Sequence, residues 1–161
     1  MIFVTLGSQK FQFNRLLQAI DRQIESGEIT EPVFAQTGWS DYKPVHYEWT
    51  PFLDREDMDA WVAKADVVIA HGGTGAIVGA LKAGKKVIAV PRLAKYGEHV
   101  DDHQEQITGQ FLGLNMILRC EDCGELSQMI AQAKEQTFRP YVSHTQAVLD
   151  SIDEYINNTF Q

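Results

Sequence analysis

Three short segments carry residue types that could hold or transform a ligand. The first is His71-Gly72-Gly73-Thr74-Gly75, lying between an apolar run and a helical pattern. Glycines at a strand-to-helix turn let the backbone approach a bulky ligand, and the amides that open a helix favour an anion such as a diphosphate. Thr74 adds a hydroxyl. The spacing is neither G-x-G-x-x-G nor a P-loop with its lysine. The second segment, Gly7-Ser8-Gln9-Lys10, follows the N-terminal apolar run and offers the same anion chemistry, with an ordinary glycine turn as the alternative. The third spans residues 91–104 and gathers Arg92, Glu98, His99, Asp101, Asp102, His103 and Gln104. His99 and His103 stand four apart, so on a helix they would share a face, as metal ligands can. No third ligand is placed by the spacing. The same carboxylates and amide suit sugar or polyol hydroxyls, or simple helix capping. Asp57-Met58-Asp59 spells D-x-D, but in the first turn of an amphipathic helix acids suit the dipole, and no site is assigned to it.

These segments need strands that end just before them. Short runs rich in β-branched residues occur at 2–6, 33–35, 45–47, 67–70, 87–90 and 116–118. The strongest are continuously apolar, as strands buried on both faces of a parallel sheet must be. Between them lie helical stripes: Phe13, Leu16, Leu17, Ile20 and Ile24; then Met58, Trp61 and Val62 after a cap at Asp54; then Ala76, Ile77, Ala80 and Leu81. Ile107 with Phe111, and Leu126 with Met129, Ile130 and Ala133, complete the set. The alternation predicts an α/β fold, a single Rossmann-like doubly wound and mainly parallel sheet of about six strands. Ligands of such sheets bind beyond the carboxyl ends of the strands, where all three segments fall. We expect one domain over 1–161, with a core at 1–138 and a helical extension at 139–161. The last helix, about 144–158, carries Val148, Ile152, Tyr155 and Ile156 on one stripe and either packs on the sheet or meets another chain.

Composition narrows the classes. The chain has 161 residues, 44% of them hydrophobic, which suits one globular domain rather than a disordered chain. Its formal charge of −8 argues against nucleic acid, which wants a basic face. No apolar run approaches the ~20 residues of a membrane span, and no basic region precedes the first apolar run, so a cytoplasmic protein is expected. Cys120 and Cys123 have acidic neighbours that oppose a thiolate, and no second pair completes a zinc site. They read as idle thiols, beside a capping box of Asp122 and Glu125. Lys82, Lys85, Lys86, Arg92 and Lys95 form a basic cluster, by default a solvated face, that would otherwise offset a phosphorylated substrate or anionic lipid.

Taken in order, Ala65-Asp66-Val67-Val68-Ile69-Ala70-His71-Gly72-Gly73-Thr74-Gly75, Gly84-Lys85-Lys86-Val87-Ile88-Ala89-Val90-Pro91-Arg92 and Gly97-Glu98-His99-Val100-Asp101-Asp102-His103-Gln104 resemble the C-terminal domain of glycosyltransferase family 28. The resemblance extends to the family's small, split-enzyme members, the soluble half of the eukaryotic dolichol-linked N-acetylglucosaminyltransferase and its bacterial exopolysaccharide or capsule counterparts, and Phe3-Val4-Thr5-Leu6-Gly7 and Gln36-Thr37-Gly38 also fit the bacterial ones. The resemblance implies the donor-binding half of a GT-B enzyme. It would transfer a hexose or N-acetylhexosamine from a UDP-sugar to a polyprenyl-diphosphate-linked saccharide, with inversion and with no metal or other cofactor.

By the same resemblance, Gly7, Ser8 and Gln9 approach the diphosphate or acceptor, and His71, Gly72, Gly73, Thr74 and Gly75 hold the phosphates. The backbone around Pro51-Phe52 would meet the uracil, Asp102 with Gln104 would meet sugar hydroxyls, and Thr37, Glu98 and His103 are further UDP-sugar-binding candidates. Glu98, His99 and His71 are the candidate catalytic bases. One departure is Gly79, where relatives often place a ribose-binding Glu. A membrane-anchored partner would carry the acceptor-binding half, the lipid-linked acceptor and the recruitment to the cytoplasmic membrane face. The alternative is a non-catalytic subunit that holds the nucleotide sugar or regulates such a complex.

Overall fold

The computed structural model describes residues 1–141. The helix expected at 144–158 lies outside the described residues. Six strands form one sheet: β1 (Ile2–Thr5), β2 (Val33–Gln36), β3 (Glu48–Thr50), β4 (Val67–His71), β5 (Lys86–Val90) and β6 (Leu118–Arg119). Their order is β3-β2-β1-β4-β5-β6, and every neighbouring pair is parallel. The connecting helices are α1 (Asn14–Glu25), α2 (Arg55–Lys64), α3 (Thr74–Lys82), α4 (His103–Gly113) and α5 (Leu126–Glu135). This is the doubly wound order, and its direction reverses between β1 and β4. The crevice at that point is where such sheets take ligands.

The continuous apolar runs are explained by cover on both faces. Ile2, Val4 and Leu6 pack with α1 and α5 on one side. Phe3, Val68 and Ala70 pack with α2, α3 and α4 on the other. Trp61 of α2 stacks flat on Phe34, with centroids 3.8 Å apart and planes 2° apart, and also faces Phe3. That stack fixes α2 against the sheet beside the reversal point.

Two strand expectations shift, for physical reasons. The expected strand at 45–47 is not one, and the chain pairs at Glu48–Thr50 instead. The buried Asp21 carboxylate captures the amides of Val45 and His46 at 2.9 Å each and the Tyr42 hydroxyl at 2.6 Å, which withdraws those donors from the ladder. Val45 is accordingly 77% exposed despite its β propensity. Before β6, Asn115 has a φ of 55° and the Met116 amide turns back to Phe111, so pairing begins only at Leu118.

Caps follow the sequence more closely. Asp54 accepts a hydrogen bond from the Asp57 amide at 2.8 Å and opens α2. Asp122 accepts from the Gly124 amide at 2.9 Å, and so caps the 3-10 turn before α5 rather than forming a box with Glu125. Removing an N-cap acceptor typically costs ~1 kcal/mol. Asp54→Ala is therefore expected to lower unfolding free energy by about 1 kcal/mol in urea denaturation, with Asp54→Asn close to wild type. An Ala variant as stable as wild type would deny the cap its role.

Candidate functional site

A cleft of about 580 Å³ opens at the reversal point. One rim is Gly7, Ser8 and Gln9, after β1; the opposite rim is His71, Gly73, Thr74 and Gly75, after β4. The cleft then runs along α3 past Ala76, Gly79 and Ala80, with Arg55, Met58, Asp59 and Val62 of α2 as its far wall. Two of the three segments singled out in the sequence thus meet across one cavity. The α2 wall is not legible in the sequence, because only the Trp61 stack decides which face of that helix turns inward.

The rim is rigid. Gly7 has a φ of 73°, and the Gln36 amide clamps it: the side-chain oxygen accepts from the Gly7 amide at 3.1 Å and the Thr5 hydroxyl at 2.8 Å. The Gln36 nitrogen donates to the carbonyls of Gly7 and Pro51, each at 2.9 Å. Across the cleft Gly73 begins α3 with no side-chain cap and no acid in the first turn. The first amides of α3 therefore offer donors and a positive helix end to an anion.

His71 lies between these rims. A Cβ on Gly7 would fall 2.6 Å from its Nε2, and one on Gly73 would fall 2.4 Å from its Cε1. Those two glycines make room for the imidazole. Gln104 sets the ring's tautomer. Its side-chain oxygen accepts from the Gly72 amide at 2.9 Å and the Arg92 amide at 3.0 Å. The amide nitrogen must then be the group 3.1 Å from His71 Nδ1, to which it donates. The proton of neutral His71 is left on Nε2, beside Gly7. Burial, with help from the Arg92 charge, pushes the His71 pKa down to about 4.

The third segment does not join the cleft lining. Arg92, read as part of a basic face, is 1% exposed. It donates to the carbonyls of Leu6 at 2.5 Å, Phe11 at 3.1 Å, Gln12 at 3.3 Å and Glu98 at 3.2 Å. Burial pushes its pKa down to about 10, so it stays charged at neutral pH. Glu98 is wholly buried; Arg15 grips its carboxylate with two bonds of 3.0 Å, and the Leu93 amide adds a third. It is a structural anchor, placed to take no proton from an acceptor. Gln104, expected to meet sugar hydroxyls, has both ends of its amide committed inside the protein.

Asp102 accepts from the Ala94 amide at 2.9 Å. His99 and His103 do not share a helix face: His99 precedes α4 and stacks on Phe11, and Asp101 bridges the two imidazoles at 3.1 and 3.4 Å. Thr37 is buried at the end of β2, bonded to Thr50, and Phe52 is a half-exposed edge partner of Trp39; neither lines the cleft. The cysteines, too, have a neighbour that local sequence hides. A hydrogen bond from Cys120, helped by the charge of Arg15, whose Nη1 lies 3.4 Å from Cys123 Sγ, holds the Cys123 thiol below its ordinary range against the opposing effect of burial. Cys120 is pushed up, by that same bond and by burial.

The depressed His71 pKa has a consequence for stability. Unfolded His71 takes a proton near pH 6.5, while the folded ring resists it until about pH 4. Stability attributable to this ring is therefore complete above pH 6.5 and is lost as pH falls toward 4, because only the unfolded chain gains the proton. Between pH 7.5 and 5 the loss is about 2 kcal/mol. His71→Asn is expected to flatten the urea-unfolding free energy over that range by this amount. An unchanged slope would mean that the ring is not buried neutral.

The sequence matches the glycosyltransferase family 28 C-terminal domain over residues 1–157. Over 81 residues it is 36% identical to the UDP-N-acetylglucosamine transferase subunit ALG13 of Candida glabrata, a match covering 50% of this chain and 39% of that protein. The matched stretch is thus well under two thirds of that relative's length. An NMR solution structure of ALG13 aligns with a TM-score of 0.61 at 18% identity, covering 94% of each chain. The crystal structure of Acinetobacter baumannii MurG aligns at 0.54 and 19% identity, covering 94% of this chain and 49% of that one. Those two likenesses attest the fold, that of one Rossmann-like half of a GT-B glycosyltransferase. Together with the 71–75 motif and the sheet order, the sequence match is decisive: the chain belongs to the glycosyltransferase family 28 C-terminal domain family.

Proposed function

We propose that the cleft between β1 and β4 holds the diphosphate of a UDP-sugar, and that the chain is the donor-binding half of a split transferase. The observation that carries this reading is the open end of α3. Its first turn has no side-chain cap, and it faces a cavity at the sheet's reversal point. A departing nucleoside diphosphate gains negative charge as the sugar–oxygen bond breaks. Preorganised amides and a helix N-terminus stabilise that charge as it develops. The Nε2–H of neutral His71 is a further donor beside the same rim.

Such a site would move a hexose or N-acetylhexosamine to a polyprenyl-diphosphate-linked saccharide, with inversion and without metal, in polysaccharide biosynthesis. Inversion needs a base for the acceptor hydroxyl. His71 has its Nδ1 engaged and Nε2 already protonated, and Glu98 is locked by Arg15. His99 keeps an orienting carboxylate in Asp101, but it stands outside the cleft lining. The base therefore belongs on a second, membrane-anchored subunit that closes the cleft and presents the acceptor. Among the described residues no helix is long and apolar enough to cross a membrane.

Gly75 supplies a clean test. It lines the cleft, and a Cβ there would meet nothing within 4 Å, so a side chain fits the protein and obstructs only a ligand. Gly73 is a poorer probe, because its substitution strikes His71 first. Gly75→Val is expected to retain wild-type thermal stability, weaken UDP binding at least about tenfold by calorimetry, and lose sugar transfer in partner-containing membranes to match. Equal UDP affinity in a folded variant would remove the diphosphate from this loop.

A further inference from the structure

We infer that Cys123 and Cys120 form a reversible oxidation site, in which a small peroxide oxidises Cys123 and Cys120 then resolves it to an intrachain disulfide. The inference stands apart from the reading of the cleft.

The local sequence makes the pair look inert, because Glu121, Asp122 and Glu125 surround it. Folding brings in a cation from 108 residues away: Arg15 of α1 puts Nη1 3.4 Å from Cys123 Sγ. Cys120 follows β6 and Cys123 opens the 3-10 turn that leads into α5, so the pair spans one tight turn. Gln23 of α1 donates to the Cys123 carbonyl at 2.7 Å and pins that turn. Both cysteines are free, and their thiols are hydrogen-bonded to each other, the proximity that a resolving step needs.

The surroundings give the two thiols unequal parts. Against a negative Cys123 sulfur stand burial and the carboxylates of Glu98 and Asp122. For it stand the Cys120 S–H and the Arg15 guanidinium, and these prevail. At Cys120 the Asp122 carbonyl, 3.1 Å from Sγ, accepts the thiol proton and so favours the protonated form. The thiolate is the nucleophile, so Cys123 is the group that meets the oxidant. Cys123 is 5% exposed and Cys120 is fully buried, yet Glu121, Asp122, Gly124 and Glu125 are all exposed, so Cys123 lies beneath a single surface turn. That cover favours hydrogen peroxide over a bulky disulfide.

The chemistry balances in two steps. The Cys123 thiolate attacks one peroxide oxygen: an S–O bond forms, the O–O bond breaks, and the departing hydroxide takes a proton to leave as water. Sulfur is oxidised by two electrons and the peroxide reduced by two, giving a sulfenic acid. The Cys120 sulfur then attacks the Cys123 sulfur. An S–S bond forms, the S–O bond breaks, and the hydroxyl leaves with the Cys120 proton as a second water.

The test treats the reduced, folded full chain with hydrogen peroxide, removes the peroxide, unfolds the chain in iodoacetamide and reads intact and peptide masses. Wild type is expected to lose the mass of two hydrogens and to take no alkyl group at either cysteine, and dithiothreitol should reverse both changes. In Cys120→Ala the reaction should stop at a sulfenic acid on Cys123, trapped by dimedone. In Cys123→Ala, Cys120 should react at least about tenfold more slowly, whereas in urea the two single-cysteine variants should react alike. Alanine leaves no unpaired hydroxyl in these buried positions, and the wild-type result needs no variant at all. Full alkylation of folded wild type, at a peroxide dose that oxidises the unfolded chain, would overturn the site. Equal rates for Cys120 and Cys123 in the folded variants would overturn their roles. A covalent dimer or a sulfinic acid in place of the intrachain bond would remove Cys120 as the resolving thiol.

Discussion

The ligand side of this domain depends on one buried cation. Taking a guanidinium out of water costs several kcal/mol, and Arg92 offsets that cost with carbonyls drawn from two loops that share no local sequence. Leu6, Phe11 and Gln12 come from the connection after β1, and Glu98 comes from the connection after β5. The Glu98 side chain returns to Arg15 of α1, so an ion pair closes the ring. Gln104 then joins the third loop, since one side-chain oxygen serves the amides of both Gly72 and Arg92. Three loops that would otherwise be separate turns become a single framework. Removing Arg15 would leave the buried Glu98 carboxylate without its ion-pair partner, and removing Arg92 would orphan the carbonyls it holds, each a costly way to break such a network.

This framework changes what the polar residues of the third segment are for. Their types suggested contact with a sugar, and sequence alone has no means of separating a histidine, glutamate or glutamine that faces a ligand from one that positions a neighbour. The distinction lies in partners far along the chain: Arg15 is 83 residues from Glu98, and Leu6 is 86 from Arg92. The cost of binding is lowered when the receiving surface is already ordered. Here the ordered surface offers backbone amides and bare glycines, while the larger polar side chains stand behind it.

Much of the fold was legible because the strands are buried on both faces. Continuous apolar runs at 67–70 and 87–90 admit few alternatives, and Asp54 announces α2 by a local bond. The strand at 45–47 was misplaced because a carboxylate from α1, Asp21, competes for its amides. The 71–75 loop was legible as a place of backbone approach, but its glycines serve two ends. Gly7 and Gly73 accommodate His71, whereas Gly75 and Gly79 leave room in the cleft. Asp59 has no signal of its own in the sequence, where it reads with Asp57 as an acid suited to the helix dipole, although it lies just past the first turn that holds Glu56 and Asp57. Only the position of α2, set by Trp61 against Phe34, turns it toward the cleft.

The central claim is that a nucleotide's diphosphate sits where β1 and β4 part, at the uncapped start of α3. Amide chemical shifts read that location without altering the protein. In a 1H–15N titration with UDP, the account predicts the largest changes at Gly73, Thr74 and Gly75, with a second group at Gly7 and Ser8 and smaller ones along α3 to Gly79. Saturable changes centred instead on residues 92–104, with the α3 amides unmoved, would contradict it.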